Sequence, residues 1–193
     1  MSTPFKKRNI SRHLYFILVI IIFILTNIIN LCHTMALCSF IYILLAFTAN
    51  LICELSDKRT TIQLLIICIL ANAPFLFNIN YYINGNKIDG ILVSSFISMI
   101  ITIYCGTYIL SKFKSVCTFH LRNLVSLIIC SLIDSTCMSL FLLLSPLPTN
   151  KIIFIFLYDL SFKFFYSLLF FGFTCSIYLK NIIKIKKHHQ INT

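Results

Sequence analysis

The chain alternates long apolar runs with short polar breaks. The runs cover residues 14–31, 35–55, 61–83, 91–110, 122–144 and 152–179. At about 1.5 Å per residue, each is long enough to cross a hydrocarbon core of about 30 Å with little left over. The breaks carry turn chemistry: residues 56–60 with Lys58 and Arg59, NGNKIDG at 84–90 with its Asn-Gly signal and Asp89, the basic stretch 111–121, and SPLPTN at 145–150. His33 falls between the first two runs and reads as an interfacial residue. The first run is too long for the apolar part of a signal peptide, and no A-x-A site follows, so it reads as an uncleaved helix. The pattern predicts an all-α membrane protein, a six-transmembrane-helix bundle. Residues 14–180 form its single domain, between a basic N-terminus at 1–13 and a basic tail at 181–193.

The polar residues inside the runs are few and patterned. On a helical wheel of about 100° per residue, Asn123, Ser126, Cys130, Ser131 and Asp134 share one side of the fifth run, while Leu124, Val125, Ile128, Ile129 and Leu132 spread over the rest. Asp134 lies about 18 Å beyond Arg122 on such a helix, and a carboxylate at that depth marks a pathway or a partner. Asn50 and Glu54 share a face at the end of the second run, with Lys58 and Arg59 within reach of Glu54 across the turn. Asp159 and Lys163 stand four apart on the sixth run. They suit an intrahelical pair that neutralises itself; equally, Lys163 can turn across helices to Asp134. Ser94, Ser98, Thr102 and Gly106 recur every four residues, a spacing of small residues that suits close helix packing. The third run holds Asn72, Pro74 and Asn78, and a bend is expected near 70–74.

Composition narrows the class. With 193 residues, 59% of them hydrophobic and 11% charged, and a mean hydropathy of +0.95, the chain lies outside the range of soluble domains. Its net charge of +11 does not gather into a nucleic-acid-binding patch. With Arg122 at the head of the fifth run counted with the fourth break, and Lys180 with the tail, thirteen of the sixteen lysines and arginines fall in the N-terminus, the second and fourth breaks and the tail; Lys87 and Lys151 occupy the other breaks, and Lys163 is inside a run. That asymmetry is the positive-inside pattern and puts both termini in the cytoplasm. Nine cysteines form no CxxC and no zinc-like spacing with histidine, so they read as small hydrophobes. The lysines and histidines of the tail suit a membrane surface better than a metal. No HExxH, GxSxG or P-loop occurs, and no histidine lies deep in a run. No enzyme, catalytic residue, metal or cofactor is expected.

The residues of the fifth run also carry a resemblance. LRNLVSLIICSLIDS at 121–135 is similar to the fifth-helix motif LRN…S…SQLIDT of the queuosine precursor transporters, also called the vitamin uptake transporter family. It matches at Arg122, Asn123, Ser126 and Asp134, with Ser131 where glutamine is usual. TANLICELSDKR resembles the family's second-helix end, keeping the glutamate as Glu54, with Asn50 in place of aspartate and Ser56–Asp57 in place of Tyr–Gly. The run GILVSSFISMIITIYCGTYILSKFK resembles the fourth helix through Ser95 and Lys114, with Ile103 and Gly106 where the family has glutamine and aspartate. Lys163 matches a sixth-helix lysine, although the aspartate–threonine–proline that follows it in the family is absent around 170–172. Asn27 suits a first-helix asparagine.

The resemblance covers most of residues 27–170. It implies a multi-pass protein of the bacterial cell inner membrane that imports a 7-deazaguanine precursor of queuosine such as preQ0, preQ1 or queuine. Its partners would be that solute and the lipid bilayer, with no nucleic acid, and with self-association left open. Asn50, Glu54, Arg122, Asn123, Asp134 and Lys163 would bind the solute, Glu54 or Asp134 accepting the paired N–H groups of its guanine-like edge. Two other readings stand beside it: a same-fold transporter or substrate-binding subunit for another small solute such as a vitamin, and a non-transporting structural membrane protein. The orientation is checked directly. A fluorescent protein fused after Thr193 is expected to glow, and an alkaline phosphatase fused there to be inactive; the opposite pair of results rejects the positive-inside reading.

Overall fold

The long apolar runs are almost free of helix breakers: of four glycines, two lie in the 84–90 break, and Pro148 falls just before the last run. In a computed structural model these runs are helical. The structure describes residues 12–32, 34–76, 82–83, 86–87, 91–145 and 147–191, with side chains at 15–29, 31–32, 34–72, 93–145 and 147–176. Residues 1–11, His33, Asn78 and Asp89 lie outside the described residues, and the side chains of Pro74 and of the tail lie outside the described side chains. Among the described residues there are six α-helices: α1 (Arg12–Ile28), α2 (Met35–Leu55), α3 (Lys58–Leu76), α4 (Ile91–Lys112), α5 (Phe119–Leu142) and α6 (Thr149–Ile191). Short 3-10 turns follow α1 and α4.

Four helical stretches are long and apolar enough to cross a membrane: Met35–Leu55, Val93–Ser115, Phe119–Leu142 and Thr149–Ser176. The apolar part of α1, Tyr15–Ile28, is shorter. Many large apolar side chains face outward on the outer helices, as Phe154, Leu157, Phe165, Leu168 and Phe173 do on α6. That is the arrangement lipid contact permits and water penalises.

Two expected boundaries are corrected. The third run does not stay helical to residue 83: Tyr82–Ile83 pair antiparallel with Asn86–Lys87. Asn-Gly lies between them in the sequence, the dipeptide that two-residue hairpins favour. The sixth helix does not stop near 179 but continues to Ile191, because no glycine or proline follows Gly172 to end it.

The bundle is built around α2, twelve of whose 21 residues are buried and which packs on each of the other five helices. Its buried Ser39, Ala46, Thr48 and Ala49 let neighbours come close. On one side Leu45, Ala49 and Ile52 join Ile22, Leu65, Met99 and Ile103 in an apolar core. On the other, Tyr42, Ile43, Ala46 and Phe47 meet Leu127 and Cys130. Phe40 and Phe47 continue this side into rings of α6, with Phe40 edge-on to Tyr166 and Phe47 beside Phe170.

The α4–α5 seam is the most extensive helix pairing and follows the four-residue stripe. Ser94 meets Met138, Ser98 meets Asp134, and the Cys130 thiol donates to the Thr102 carbonyl at 3.1 Å. Beside Ser126 and Cys130 stands Gly106, where an added Cβ would collide with Cys130 Sγ and lie 2.9 Å from Ser126 Oγ. One step on, Arg122 donates to the Leu110 carbonyl at 3.2 Å. Four-residue steps on two antiparallel helices thus meet in order. Elsewhere, Thr48, Ser131, Ser139, Ser161 and Ser167 donate to the carbonyl four residues back, so these hydroxyls need no outside partner. The seam generates a contrast. Replacing Gly106 by Leu is expected to lower stability by about 1–3 kcal/mol or more through overpacking. Gly172, which has nothing within 4 Å of an added Cβ, should accept Ala with a gain of up to about 1 kcal/mol. Thermal unfolding of the two purified variants checks both; equal tolerance would reject the close seam.

Candidate functional site

Polar side chains inside the bundle gather in two layers. The first is centred on Lys163 of α6, which is 3% exposed. Its ammonium donates to Asp134 Oδ2 at 2.6 Å and to Asp159 Oδ2 at 2.5 Å, and lies 3.3 Å from Ser135 Oγ. The two pairings that the sequence left open therefore coexist: Lys163 takes both the intrahelical and the interhelical carboxylate. Each carboxylate has further donors. Ser98 Oγ of α4 donates to Asp134 Oδ1; Ser39 Oγ of α2 and Ser135 Oγ of α5 donate to Asp159 at 2.7 Å each. The Tyr42 ring lies 4.7 Å from the ammonium, a cation–π distance, while its hydroxyl donates to the Cys130 carbonyl at 3.1 Å. Asp134 is eight residues from the end of α5 at Leu142, a rise of about 12 Å.

The second layer lies twelve residues back along α5, about 18 Å away along the helix. Arg122, at the head of the fifth run, is 5% exposed. It ion-pairs with Glu54 Oε1 at 2.8 Å, while Lys114 comes within 3.8 Å of Glu54 Oε2. The expected pairing of Glu54 with Lys58 or Arg59 is thus replaced. Lys58 instead places its ammonium 3.9 Å from the Tyr104 ring centroid and 4.7 Å from that of Tyr108. Glu54 turns inward because it stands one turn from Asn50, which faces α5. There Asn50 Nδ2 donates to Asn123 Oδ1 at 2.9 Å and to Ser126 Oγ at 3.1 Å. Asn123 is fully buried, and neither its Nδ2 nor Arg122 Nε has a hydrogen-bond partner.

A smaller polar pair joins α1 to α3. Asn27 Nδ2 donates to Asn72 Oδ1 at 2.8 Å, and Asn72 Nδ2 donates to Thr26 Oγ1 at 2.7 Å. Asn27 therefore stands apart from both layers and ties helices together.

The six residues expected to bind a solute fall into both layers: Asn50, Glu54, Arg122 and Asn123 in one, Asp134 and Lys163 in the other. Asp159, Ser39, Ser98, Ser135, Tyr42 and Lys114 join them without having been named as solute-binding residues. Asp159 carried a signal in its spacing from Lys163, and Ser98 in the four-residue stripe. Ser39 and Tyr42 carried none, because their partners are about 120 and 88 residues away in sequence. Counting ionised side chains, the first layer has two carboxylates and one ammonium, and the second has one carboxylate and two cations. Among the described residues, no group of histidine, cysteine and carboxylate side chains could hold a metal ion. No protein-family model, curated protein or solved structure matches the chain.

Removing one partner of a buried ion pair leaves the other charge uncompensated, at a cost of about 3–5 kcal/mol. Lys163→Met should therefore destabilise the bundle by about that amount, because two carboxylates are left facing each other. Adding Asp134→Asn and Asp159→Asn to it is expected to recover part of the loss. The unfolding midpoints of the single and triple variants check the point, and a triple variant weaker than the single one would reject the ammonium as the centre of the layer.

Proposed function

We propose that the chain is a six-span transporter of a bacterial inner membrane, with both termini in the cytoplasm, that imports a 7-deazaguanine-type queuosine precursor. The supporting observation is the meeting of the motif residues. Asn50 and Glu54 on α2 come into direct contact with Arg122, Asn123 and Ser126 on α5, although about 70 residues separate them in sequence. These are the positions at which the chain resembles the queuosine precursor transporters. A carboxylate beside amide and guanidinium groups, inside a membrane helix bundle, suits a flat solute whose edge carries both N–H donors and a carbonyl. Charged and amide side chains are costly among lipid-facing helices, and their usual reason is a solute or ion path.

In this reading α1 and α3 are the remaining two spans, and the basic breaks next to α3 and α5 lie on the cytoplasmic side with the second layer. The solute leaves the protein near Arg122 and Glu54. No energy source is needed for the binding step itself, and the chain carries no nucleotide motif. The test is genetic. In a bacterium that can neither make nor import the precursor, expression of this chain with supplied 7-deazaguanine precursor is expected to restore queuosine in tRNA. Glu54→Gln is expected to abolish the rescue while the protein still reaches the membrane. Absence of rescue by the unaltered chain overturns the substrate.

A further inference from the structure

The two layers differ in how completely they satisfy themselves. Around Lys163 the three ammonium hydrogens have three acceptors, in Asp134, Asp159 and Ser135. The Ser39, Ser98 and Ser135 hydroxyls all donate to carboxylate oxygens. In the layer at Arg122 the reverse holds: Asn123 Nδ2 and Arg122 Nε, on adjacent residues and both buried, have no acceptor. Buried donors without partners are rare in folded proteins, and a functional role is one of the explanations they call for.

The Asn123 amide is held at one end. Its Oδ1 accepts from Asn50 Nδ2, and Ser126 Oγ lies within reach of both ends of the Asn50 amide, 3.1 Å from Nδ2 and 3.2 Å from Oδ1. Nδ2 of Asn123 is the end without a partner, and it can only donate. One residue away, Arg122 holds Glu54, whose side chain is 25% exposed and which can only accept when ionised. A donor and an acceptor side by side complement a lactam edge, in which a ring carbonyl adjoins ring and exocyclic N–H groups. An adenine-like edge puts an amino group where the carbonyl would be and so sets donor against donor.

Building on the transport reading above, we infer that the Arg122 layer, and not the Lys163 layer, reads the solute, with Asn123 Nδ2 as the specificity-determining donor to its ring carbonyl. Glu54 accepts the adjoining N–H groups, and Asp134 serves the Lys163 layer alone. The discrimination is between a 6-oxo and a 6-amino ring, because a site left with an unpaired buried group rejects the wrong partner strongly.

The test uses the full-length protein in lipid nanodiscs and two probes, 7-deazaguanine and 2,6-diamino-7-deazapurine, each measured for binding. The quantity read is the ratio of the two affinities, which general damage to the fold lowers together and leaves unchanged. The unaltered protein is expected to prefer the 6-oxo probe by about tenfold or more. Asn123→Ala should lower the ratio severalfold, leaving the part that Glu54 supplies by accepting the ring N–H that the 6-amino probe lacks. Asn123→Asp, which keeps the shape and exchanges the free donor for an acceptor, should lower it further. An unaltered ratio in both variants overturns the role of Asn123 while leaving the transport reading in place. Binding of neither probe by the unaltered protein overturns both.

Discussion

An ammonium cannot be left alone among apolar helices, and Lys163 is the group around which the bundle closes. Its solvation shell is made of protein: a carboxylate from its own helix, a carboxylate and a hydroxyl from α5, and the face of a tyrosine from α2. The carboxylates then draw in hydroxyls from α2, α4 and α5. One buried charge thereby obliges four helices to meet at one level. Apolar packing gives the helices many compatible arrangements, because lipid is as apolar as their side chains; the charge selects among them.

The layer at Arg122 obeys the same rule less completely. Its guanidinium is matched by Glu54 and by the Leu110 carbonyl, and its amides by each other and by Ser126. It sits near the ends of α2 and α5, with Lys114 half exposed beside it. The deeper layer is built to hold the helices, whereas the shallower one keeps spare hydrogen-bonding capacity close to the bundle's rim. A layer that satisfies itself and a layer with spare donors are thus separated along a single helix, α5, which contributes to both.

Much of this was legible in the sequence. The bounds of α2 coincide with the second apolar run because Thr34 and the turn at Ser56 end it on both sides. The fifth helix begins three residues before Arg122 and ends at Leu142, a shift that leaves its polar face where the wheel put it. The end of α3 was misread because Tyr82 and Ile83 are as apolar in a hairpin as in a helix, and hydropathy does not tell the two apart. Partners of charges were the hardest to read. Glu54 had two cations within five residues, yet it bonds to a third that is 68 positions away, because the face it shares with Asn50 points at α5. Local spacing finds neighbours on one helix, and only packing decides which distant helix supplies the rest.

The stepped seam between α4 and α5 has a geometric consequence. A contact that repeats every four residues is nearly unchanged when one helix slides by a turn, so small residues alone would leave the vertical alignment of the pair undecided. Gly106 removes that degeneracy. A slide in one direction would bring Thr102 to the place beside Ser126, and a slide in the other would bring Leu110 there, where even a Cβ has no room. The repeat draws the helices together, and the single position without a side chain acts as the notch in a key, admitting one alignment and refusing its neighbours.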